Sequence, residues 1–455
     1  MTIEARYKAK VVSAKEAAAH VKSGYSIGIQ GFNNYPQSIM DAILDRIEEL
    51  EGVVVYDIPN PTDKRVNYFR RLLDIENSEK HIKAISLFTT HPQERELIRL
   101  GRGDQIPVHF SNMPEIFRRL DPPLGVVALE VSPMDEKGNF SYGLWGGYTK
   151  AMLERCKIVM VEVNENHPYI KGDCIINLSD INFIVENTTP QPVLPNIPPS
   201  KIEQIIADHI DPLILDGSTV QLGFGGIPNA IASCFGHKKD LGVHTEMLVD
   251  AYMELSEQGV ITNAKKGINN GKMTVTFISG SKKLYDWCHN NDIIDVREVS
   301  YTNDPYVIKN NNKMIAINSI IACDLTGQVV CESIGPLQFT GTGGQLDFTR
   351  GAVLSPEGKA FLVTPSTGTK NEKMFKFAPV LSKGNVVSRI VPTHPPHAIV
   401  SVPRNDVDYI VTEYGAVSLR GKDRGERAKL LISIAHPDFR DELEREAREV
   451  LNLKF

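Results

Sequence analysis

The chain has 455 residues, of which 42% are hydrophobic and 23% are charged. This length exceeds what one hydrophobic core usually fills, so we expect a globular protein of two domains. The formal net charge of −6 argues against a nucleic-acid-binding surface, because binding to phosphates requires a basic face.

The N-terminal part alternates between predicted helices and strands. It comprises a helix at 13–22, a strand at 25–30, a Gly-Phe turn at 31–36, an amphipathic helix at 37–50 and a buried strand at 53–56. A proline-rich segment follows at 188–200, where TTPQPVLPNIPPS can continue neither a helix nor a central strand. We therefore predict an N-terminal α/β domain at 1–189, a linker at 190–200 and a C-terminal α/β domain at 201–455.

The second part begins with the same order of elements. The pattern predicts a helix at 200–215, a strand at 218–222, a Gly-Phe turn at 223–224, a short helix opened by Pro228 and a strand towards Val243. This repetition indicates an internal duplication. Alternating strands and helices predict two related open α/β domains with mainly parallel sheets, whose ligands gather at the carboxyl ends of the strands. We expect the active site in the cleft between the two domains.

Two glycine clusters flank one glutamate in this second part. The turn GFGGIP at 223–228 precedes Glu246, and TGTGGQLDF at 340–348 follows it. Backbone N–H groups from two such turns can stabilise one oxyanion, and a carboxylate becomes an effective nucleophile in a site that excludes water. The pattern favours acyl chemistry on Glu246; the alternative is a solvated carboxylate at a strand end. This chemistry needs no general base, so we interpret His244 as structural.

Other motifs favour no separate chemistry. The turn at 223–228 lacks the third glycine of a dinucleotide fingerprint, and GINNGKMT at 267–274 departs from a P-loop in spacing and in the residue after lysine. Residues 279–283 are a weak phosphate candidate at a helix start. His394 and His397 bracket two prolines without further ligands nearby, and the six cysteines lack zinc-ligand spacing, so we predict no metal site.

At these residues the sequence resembles the acetyl-CoA hydrolase/transferase family, the class I CoA-transferases, and within it the branch of 4-hydroxybutyrate CoA-transferase and butyryl-CoA:acetate CoA-transferase. The resemblance runs nearly end to end. It is densest in GSTVQLGFGGIPNA (217–230), LGVHTEM (241–247), YTNDPYVI (301–308), ESIGPLQFTGTGGQLDFTRGA (332–352), RNDVDYIVTEYG (404–415) and ISIAHPDFR (432–440). Several long motifs in one order are far more specific than a single glycine turn.

The resemblance implies a role for individual residues. Glu246 would form a glutamyl-CoA thioester, the backbone N–H groups of Phe224 and Gly344 would form the oxyanion hole, and Asn303 would orient the carboxylate. Contacts with CoA are implied for Val220, Gln221, Leu222, Gly223, Phe224, Thr340 and Gly344. The turn at 31–36 occupies a position that lines the acyl pocket.

The implied reaction is a ping-pong exchange of CoA between a short-chain acyl-CoA and a carboxylate such as acetate. CoA is then a co-substrate, and no permanently bound cofactor is expected. An acyl-CoA hydrolase and a noncatalytic sensor of CoA esters or sugar phosphates are the alternatives; an oxidoreductase is disfavoured because a dinucleotide fingerprint is missing. The start of the chain lacks an apolar signal-peptide core, and residues 217–236 are too rich in glycine to span a membrane. We expect a cytoplasmic protein that binds neither membranes nor nucleic acids and, by the resemblance, a homodimer or higher homo-oligomer.

Overall fold

A computed structural model describes residues 2–194, 198–223, 226–369 and 381–454. The chain divides into two compact units. The first contains Met1–Asn196, Glu246–Asp250 and Lys272–Thr302, and the second contains Ile197–Thr245, Ala251–Gly271 and Asn303–Phe455. The chain therefore returns twice to the first unit after leaving it at residue 196. The domain bounds that the sequence predicts, with a linker at 190–200, remain a prediction.

The first unit is built around a seven-stranded parallel sheet. Its strands lie in the spatial order Gly103–Gln105, Ile82–Ser86, Val53–Asp57, Ser26–Ile29, Leu124–Val131, Cys156–Val163 and Phe183–Glu186. Ser26–Ile29 lies between Val53–Asp57, the next strand along the chain, and Leu124–Val131, which comes much later in the chain. The strand order reverses at this point, and in open α/β sheets a crevice for ligands forms there, outside the carboxyl ends of the strands.

Helices cover this sheet, and two further pairs of strands belong to the unit. The helices are Ile3–Lys8, Ala14–Ala18, Gln37–Leu44, Tyr68–Asp74, Pro92–Arg99, Met113–Arg119, Thr149–Glu154, Lys282–Cys288 and Val299–Thr302. Met273–Ile278 and Ile294–Val296 form a parallel pair, and Asn139–Ser141 pairs with Ile175–Asn177 in antiparallel fashion. Bridges from Trp145 to Phe277 and from Gly172 to Val296 attach the parallel pair to the N-terminal part of the unit.

The second unit repeats the central arrangement. A strand that begins at Gly242 pairs in parallel with Thr219–Leu222, followed by Met314–Ser319, Lys359–Val363 and Tyr409–Thr412, while Gly415–Ser418 closes the edge as an antiparallel hairpin. The strand Thr219–Leu222 again lies between its successor in the chain and a much later strand. The predicted class, two related α/β domains with parallel sheets, is confirmed.

Helices and small sheets complete the second unit. The helices are Lys201–Ile210, Gly226–Cys234, Asp250–Glu257 (whose first residue belongs to the first unit), Pro305–Ile308, Gln345–Leu354, Arg424–Ser433 and Pro437–Glu449. The short strands are Ala322–Asp324, Val329–Val330, Ser333–Ile334, Leu337–Gln338, Thr367–Thr369, Ser382–Lys383, Val386–Ser388 and Ile390–Val391. Among all helices that the structure describes in both units, none is long and apolar enough to cross a lipid bilayer.

The predicted elements exist, but several helices end earlier than the sequence suggests. The helix predicted at 13–22 spans Ala14–Ala18, capped by Ser13 through a hydrogen bond from the backbone of Glu16. The helix predicted at 200–215 ends at Ile210, because Pro212 lacks the N–H that the next turn requires, and a short 3-10 turn at Asp211–Leu213 follows. The predicted strand at 53–56 is confirmed, one residue longer, as Val53–Asp57.

Candidate active site

Glu246 lies near the carboxyl end of the strand Gly242–Leu248. It is the one residue of this strand that is not fully buried. The strand begins in the second unit, which includes residues up to Thr245, and Glu246 belongs to the first unit. A half-exposed carboxylate at the carboxyl end of a parallel strand is in the position where α/β proteins present reactive side chains to a ligand.

The segment after Glu246 is held by the turn that follows Met273–Ile278. The backbone N–H of Ser279 donates to the carbonyl of Leu248 over 3.1 Å. The carboxylate of Asp250 accepts hydrogen bonds from the backbone N–H of Ser281, at 2.9 Å, and from the Ser281 hydroxyl. Since this carboxylate already neutralises the start of the helix Lys282–Cys288, the weak phosphate candidate at 279–283 loses its support.

The turn at 31–36 is mostly buried. Asn33, Asn34 and Tyr35 are shielded from solvent, and Phe32 is the residue of this turn with partly exposed surface. Phe32 adopts a positive φ of 50°, and its ring packs on Phe277 with a centroid distance of 4.8 Å. Of the predicted pocket-lining run, Phe32 is therefore the side chain that can reach a ligand, and the next three residues serve the interior.

Asn33 is the centre of a buried hydrogen-bond network. Its side-chain N–H groups donate to the carbonyl of Ile278 and to the hydroxyl of Tyr285, both at 2.9 Å. Its side-chain oxygen accepts from the amide of Asn60 at 2.7 Å, and its backbone carbonyl accepts from Arg65 at 2.8 Å. Because these partners come from distant parts of the sequence, Asn33 fixes the turn at 31–36 within the first unit.

Arg65 extends this network towards the proline-rich segment. Its guanidinium forms ion pairs with Glu130 at 2.6 Å and with Asp63 at 2.9 Å. Burial raises the pKa of Glu130 to about 7, against the opposing effect of the Arg65 charge. Glu130 also accepts a hydrogen bond from Gln191, and Arg65 donates to the hydroxyl of Thr189. The described start of the predicted linker is therefore bonded to the first unit.

A separate cavity of about 1150 Å³ lies in the first unit. It follows the carboxyl ends of Leu124–Val131 and Cys156–Val163, and His167, Tyr169, Lys282 and Tyr285 contribute to its lining. Glu246 does not line this cavity, so we do not assign it to the candidate active site.

In the second unit, the predicted CoA contacts begin on a buried strand. Val220, Gln221 and Leu222 are almost completely shielded from solvent, so their side chains serve the core of the sheet. Gly223 follows at the strand end, and its N–H donates to the carbonyl of Ile317 over 2.8 Å. A Cβ atom at Gly223 would lie 3.0 Å from the side-chain oxygen of Asn318, so glycine permits this close approach. Phe224, the next predicted site residue, lies outside the described residues.

Gly344 stands at the same edge of this sheet. It is the residue before the helix Gln345–Leu354, and Gly343 before it has a φ of 58°, which favours glycine. The side chain of Gln345 donates to the carbonyl of Ser319, at the carboxyl end of Met314–Ser319, over 2.9 Å. The strand of Gly223 pairs with that same strand, so the second unit brings Gly223 and Gly344 to one sheet edge.

Glu332 orders the chain before Gly344. Its backbone carbonyl accepts hydrogen bonds from the N–H groups of Phe339, at 2.8 Å, and Thr340, at 3.1 Å. Its carboxylate accepts from the hydroxyl of Thr342 at 3.0 Å. Thr340, a predicted CoA contact, is half-buried within this ordered turn. The sequence argument missed Glu332, although Glu332 is the first residue of the quoted motif at 332–352.

Asn303 is fully buried and precedes Asp304, which caps the helix Pro305–Ile308. A Cβ at Gly351 would lie 2.4 Å from Ile308, and the hydroxyl of Ser355 donates to the carbonyl of Asn311 at 2.5 Å. The chain from 303 to 311 therefore runs in the direction of the helix Gln345–Leu354.

His244, two residues before Glu246, is fully buried in the second unit. Its ring lies 6.2 Å from that of Phe348, measured between centroids. This packing supports the structural interpretation of His244.

Comparison with known proteins identifies the family. The model of the acetyl-CoA hydrolase/transferase N-terminal domain matches residues 1–195, and that of the C-terminal domain matches residues 280–447. The chain belongs to the acetyl-CoA hydrolase/transferase family. The predicted resemblance is therefore confirmed.

Relatives within this family are similar over almost the whole chain. A succinyl-CoA:cyclohexane-1-carboxylate CoA transferase of Geobacter metallireducens is 40% identical, covering 98% of this chain and 97% of the relative. A 4-hydroxybutyrate coenzyme A transferase of Clostridium kluyveri is 38% identical, covering 99% and 100%. A butyryl-CoA:acetate CoA-transferase of Anaerostipes caccae is 35% identical, covering 99% and 98%. These relatives confirm the predicted enzyme class, a CoA-transferase.

Solved structures and more distant relatives extend the comparison. The crystal structure of RipA from Yersinia pestis, at 32% identity, superimposes with a TM-score of 0.88 over 99% of both chains. An acetyl-CoA hydrolase of Neurospora crassa is 25% identical, covering 93% of this chain and 85% of the relative. Hydrolases of the family are thus less similar to this chain than the transferases named above.

Proposed function

We propose that this enzyme moves CoA between a short-chain acyl-CoA and a carboxylate such as acetate, through a glutamyl-CoA thioester on Glu246. The observation that carries the proposal is the half-exposed Glu246 at the end of an otherwise buried strand. It stands in a chain whose relatives over nearly the full length are named CoA-transferases.

The chemistry follows from a carboxylate nucleophile. A carboxylate oxygen of Glu246 attacks the carbonyl carbon of the acyl-CoA, and the C–S bond breaks. CoA leaves as a thiolate, and the acyl group remains bound to Glu246 as a mixed anhydride. The thiolate then attacks the glutamyl carbonyl carbon, and the bond between that carbon and the bridging oxygen of the anhydride breaks, so that this oxygen leaves with the acyl group. This step releases the free carboxylate and leaves glutamyl-CoA. A second carboxylate reverses both steps and departs as its own CoA ester, so each thioester that is broken is matched by one that is formed.

Negative charge develops on the carbonyl oxygen in each step. We assign its stabilisation to the backbone N–H groups of Gly344 and Phe224. Gly344 precedes a ten-residue helix, whose first N–H groups lack partners within the helix and whose dipole is positive at this end. Removing one donor of this kind typically lowers the rate by about 10²- to 10³-fold. We further assign to Asn303 the orientation of the Glu246 carboxylate.

CoA itself would meet the second unit at the edge formed by Gly223 and Gly344. The side chains of Val220, Gln221 and Leu222 are buried, so in this proposal they support the strand, and contact with CoA falls to the backbone from Gly223 onwards and to Thr340. We also propose a cytoplasmic homo-oligomer, as the sequence resemblance implies.

Trapping of the intermediate tests the proposal. Incubation with acetyl-CoA or butyryl-CoA, followed by borohydride reduction and peptide mass spectrometry, should modify the peptide that contains Glu246. Glu246→Gln should abolish both the modification and CoA transfer. The exposed Glu254, on the helix after the same strand, provides the matched control: Glu254→Gln should retain both. Full transferase activity in Glu246→Gln would refute the proposal.

The same incubations separate transfer from hydrolysis. In the presence of acetate and butyryl-CoA, transfer forms acetyl-CoA without net release of free thiol, whereas hydrolysis releases one thiol for each thioester consumed. Labelling of Glu246 with thiol release as the main outcome would make the enzyme a hydrolase. Ligand binding without any covalent label would favour the sensor alternative.

A further inference from the structure

The segment that follows Glu246 is hydrogen-bonded to the turn at 278–280, and other contacts hold this turn on both sides of Ser279. The N–H of Ser279 donates to the carbonyl of Leu248, two residues after Glu246. The carbonyl of Ile278, before Ser279, accepts from Asn33, and the N–H of Gly280, after Ser279, donates to the hydroxyl of Tyr285 at 3.2 Å. The position of the Glu246 strand end therefore depends on a turn that Asn33 and Tyr285 hold.

The hydroxyl of Tyr285 uses its full hydrogen-bonding capacity. It donates to the carbonyl of Pro192 at 2.7 Å and accepts from Asn33 and from the N–H of Gly280. A phenol has one donor and two acceptor sites, so each is occupied. Burial raises the pKa of Tyr285 to about 12, which keeps the hydroxyl a donor throughout the neutral range.

The side chain of Asn33 also has a hydrogen-bond partner for each of its polar groups. Both of its N–H groups and its oxygen have the partners described above, and the hydroxyl of Ser279 adds a longer contact of 3.4 Å to the same oxygen. Asn33 is fully buried and Tyr285 is 3% exposed. Side chains so enclosed and so fully bonded have one favoured arrangement, because any shift leaves a buried polar group without its partner.

We propose that Asn33 and Tyr285 are positioning residues that hold the Glu246 strand end in its reactive geometry. This inference rests on the proposed role of Glu246 as nucleophile. Neither residue needs to contact substrate: they act through the turn at 278–280 and its bond to Leu248. A displacement of about 1 Å at a reacting group can cost about 10²-fold in rate, so loss of this support should lower the rate of the chemical step more than it lowers substrate affinity.

Tyr285→Phe is the decisive variant, because it removes the hydroxyl and keeps the ring. Tyr142→Phe is the matched control: Tyr142 is also buried in the first unit, and its hydroxyl donates to a backbone carbonyl, that of Asp173, at 3.1 Å. The measurement is the single-turnover formation of glutamyl-CoA from butyryl-CoA without acceptor, followed by intact-protein mass spectrometry over a range of butyryl-CoA concentrations.

We expect the saturating rate of Tyr285→Phe to fall by tenfold or more, with the half-saturating concentration changed by less than about threefold, and Tyr142→Phe to react as the wild type does. Asn33→Ala should likewise lower the saturating rate and leave the half-saturating concentration nearly unchanged. It provides the test if Tyr285→Phe does not fold. A saturating rate that falls by less than tenfold in a folded variant, or an equal fall in Tyr142→Phe, would overturn the inference. Absence of glutamyl-CoA in the wild type would instead refute the proposed function.

Discussion

His167 provides a direct test of how burial controls a titrating group in this fold. Its side chain is 2% exposed, and the Nδ1 atom lies 3.0 Å from the carbonyl of Pro168, which assigns the ring proton to Nδ1. Burial lowers the pKa of His167 to about 3, and the positive charge of Arg65 acts in the same direction. The folded protein therefore holds this imidazole in the neutral form.

The magnitude follows from linkage between protonation and folding. The unfolded chain binds a proton at this residue near pH 6.5, whereas the folded chain resists it until a much lower pH. A depressed pKa contributes stability that is fully present above pH 6.5 and is lost as the pH falls towards 3. At about 1.4 kcal/mol for each pH unit, acidification from pH 6.5 to pH 5 should remove ~2 kcal/mol of the free energy of unfolding.

The variant His167→Asn isolates this effect, because the Asn side chain can still donate to Pro168 and does not titrate. The cavity it leaves should cost ~1–2 kcal/mol at every pH. The stability advantage of the wild type should therefore shrink by ~2 kcal/mol between pH 7.5 and pH 5, or about 4–8 °C in Tm for a unit of this size. Thermal unfolding at several pH values measures this difference.

An exposed histidine supplies the control. His20→Asn removes a solvent-exposed histidine from the same unit, so it measures what the loss of a histidine outside the core does to Tm at each pH. A stability difference between wild type and His167→Asn that does not change with pH would refute the reasoning, since it would mean that the folded protein accepts a proton at His167 as readily as the unfolded chain.

Two further substitutions test other buried features. Burial, with the nearby charge of Glu94, holds the pKa of Asp57 well above its usual range of about 4. The wild type should therefore lose stability as the pH rises above about 4, and Asp57→Asn should reduce that loss, as read from Tm at about pH 4 and pH 7 with the exposed Asp74→Asn as the control. Gly343→Ala forces a side chain into a φ of 58°, which costs about 1 kcal/mol and should displace the N–H of Gly344, lowering kcat by roughly tenfold. Gly384→Ala, at a φ of 60° in open space, should cost similar stability with unchanged kcat; equal kcat in both variants would contradict the assignment of Gly344.

Local patterns in the sequence predicted most of the sheet framework. The run Val-Val-Val-Tyr at 53–56 predicted the strand Val53–Asp57, and the repeated order of elements predicted two related sheets. Helix ends were less accurate, since the stop at Ile210 depends on one proline two residues later.

The contacts that hold the candidate site in place were invisible to such patterns. Asn33 and Tyr285 are 252 residues apart, and neither carries a recognisable motif. The resemblance implied that the turn at 31–36 lines a ligand pocket, whereas buried partners satisfy Asn33 and leave Phe32 as the partly exposed residue of that turn. Likewise, only the fold brings the Asp250 carboxylate to the helix start that had suggested a phosphate.

The first unit is assembled from three separate segments of the chain, and this has a consequence for biosynthesis. When residues 1–196 have left the ribosome, the strands Met273–Ile278 and Ile294–Val296 and the helix with Tyr285 have not yet been made. Trp145 and Phe32 then lack Phe277, and the polar side chain of Asn33 lacks the carbonyl of Ile278. The aromatic side chains of the nascent N-terminal half therefore stay uncovered until the chain has grown beyond residue 302. Chaperones bind apolar surface that is exposed in this way during synthesis.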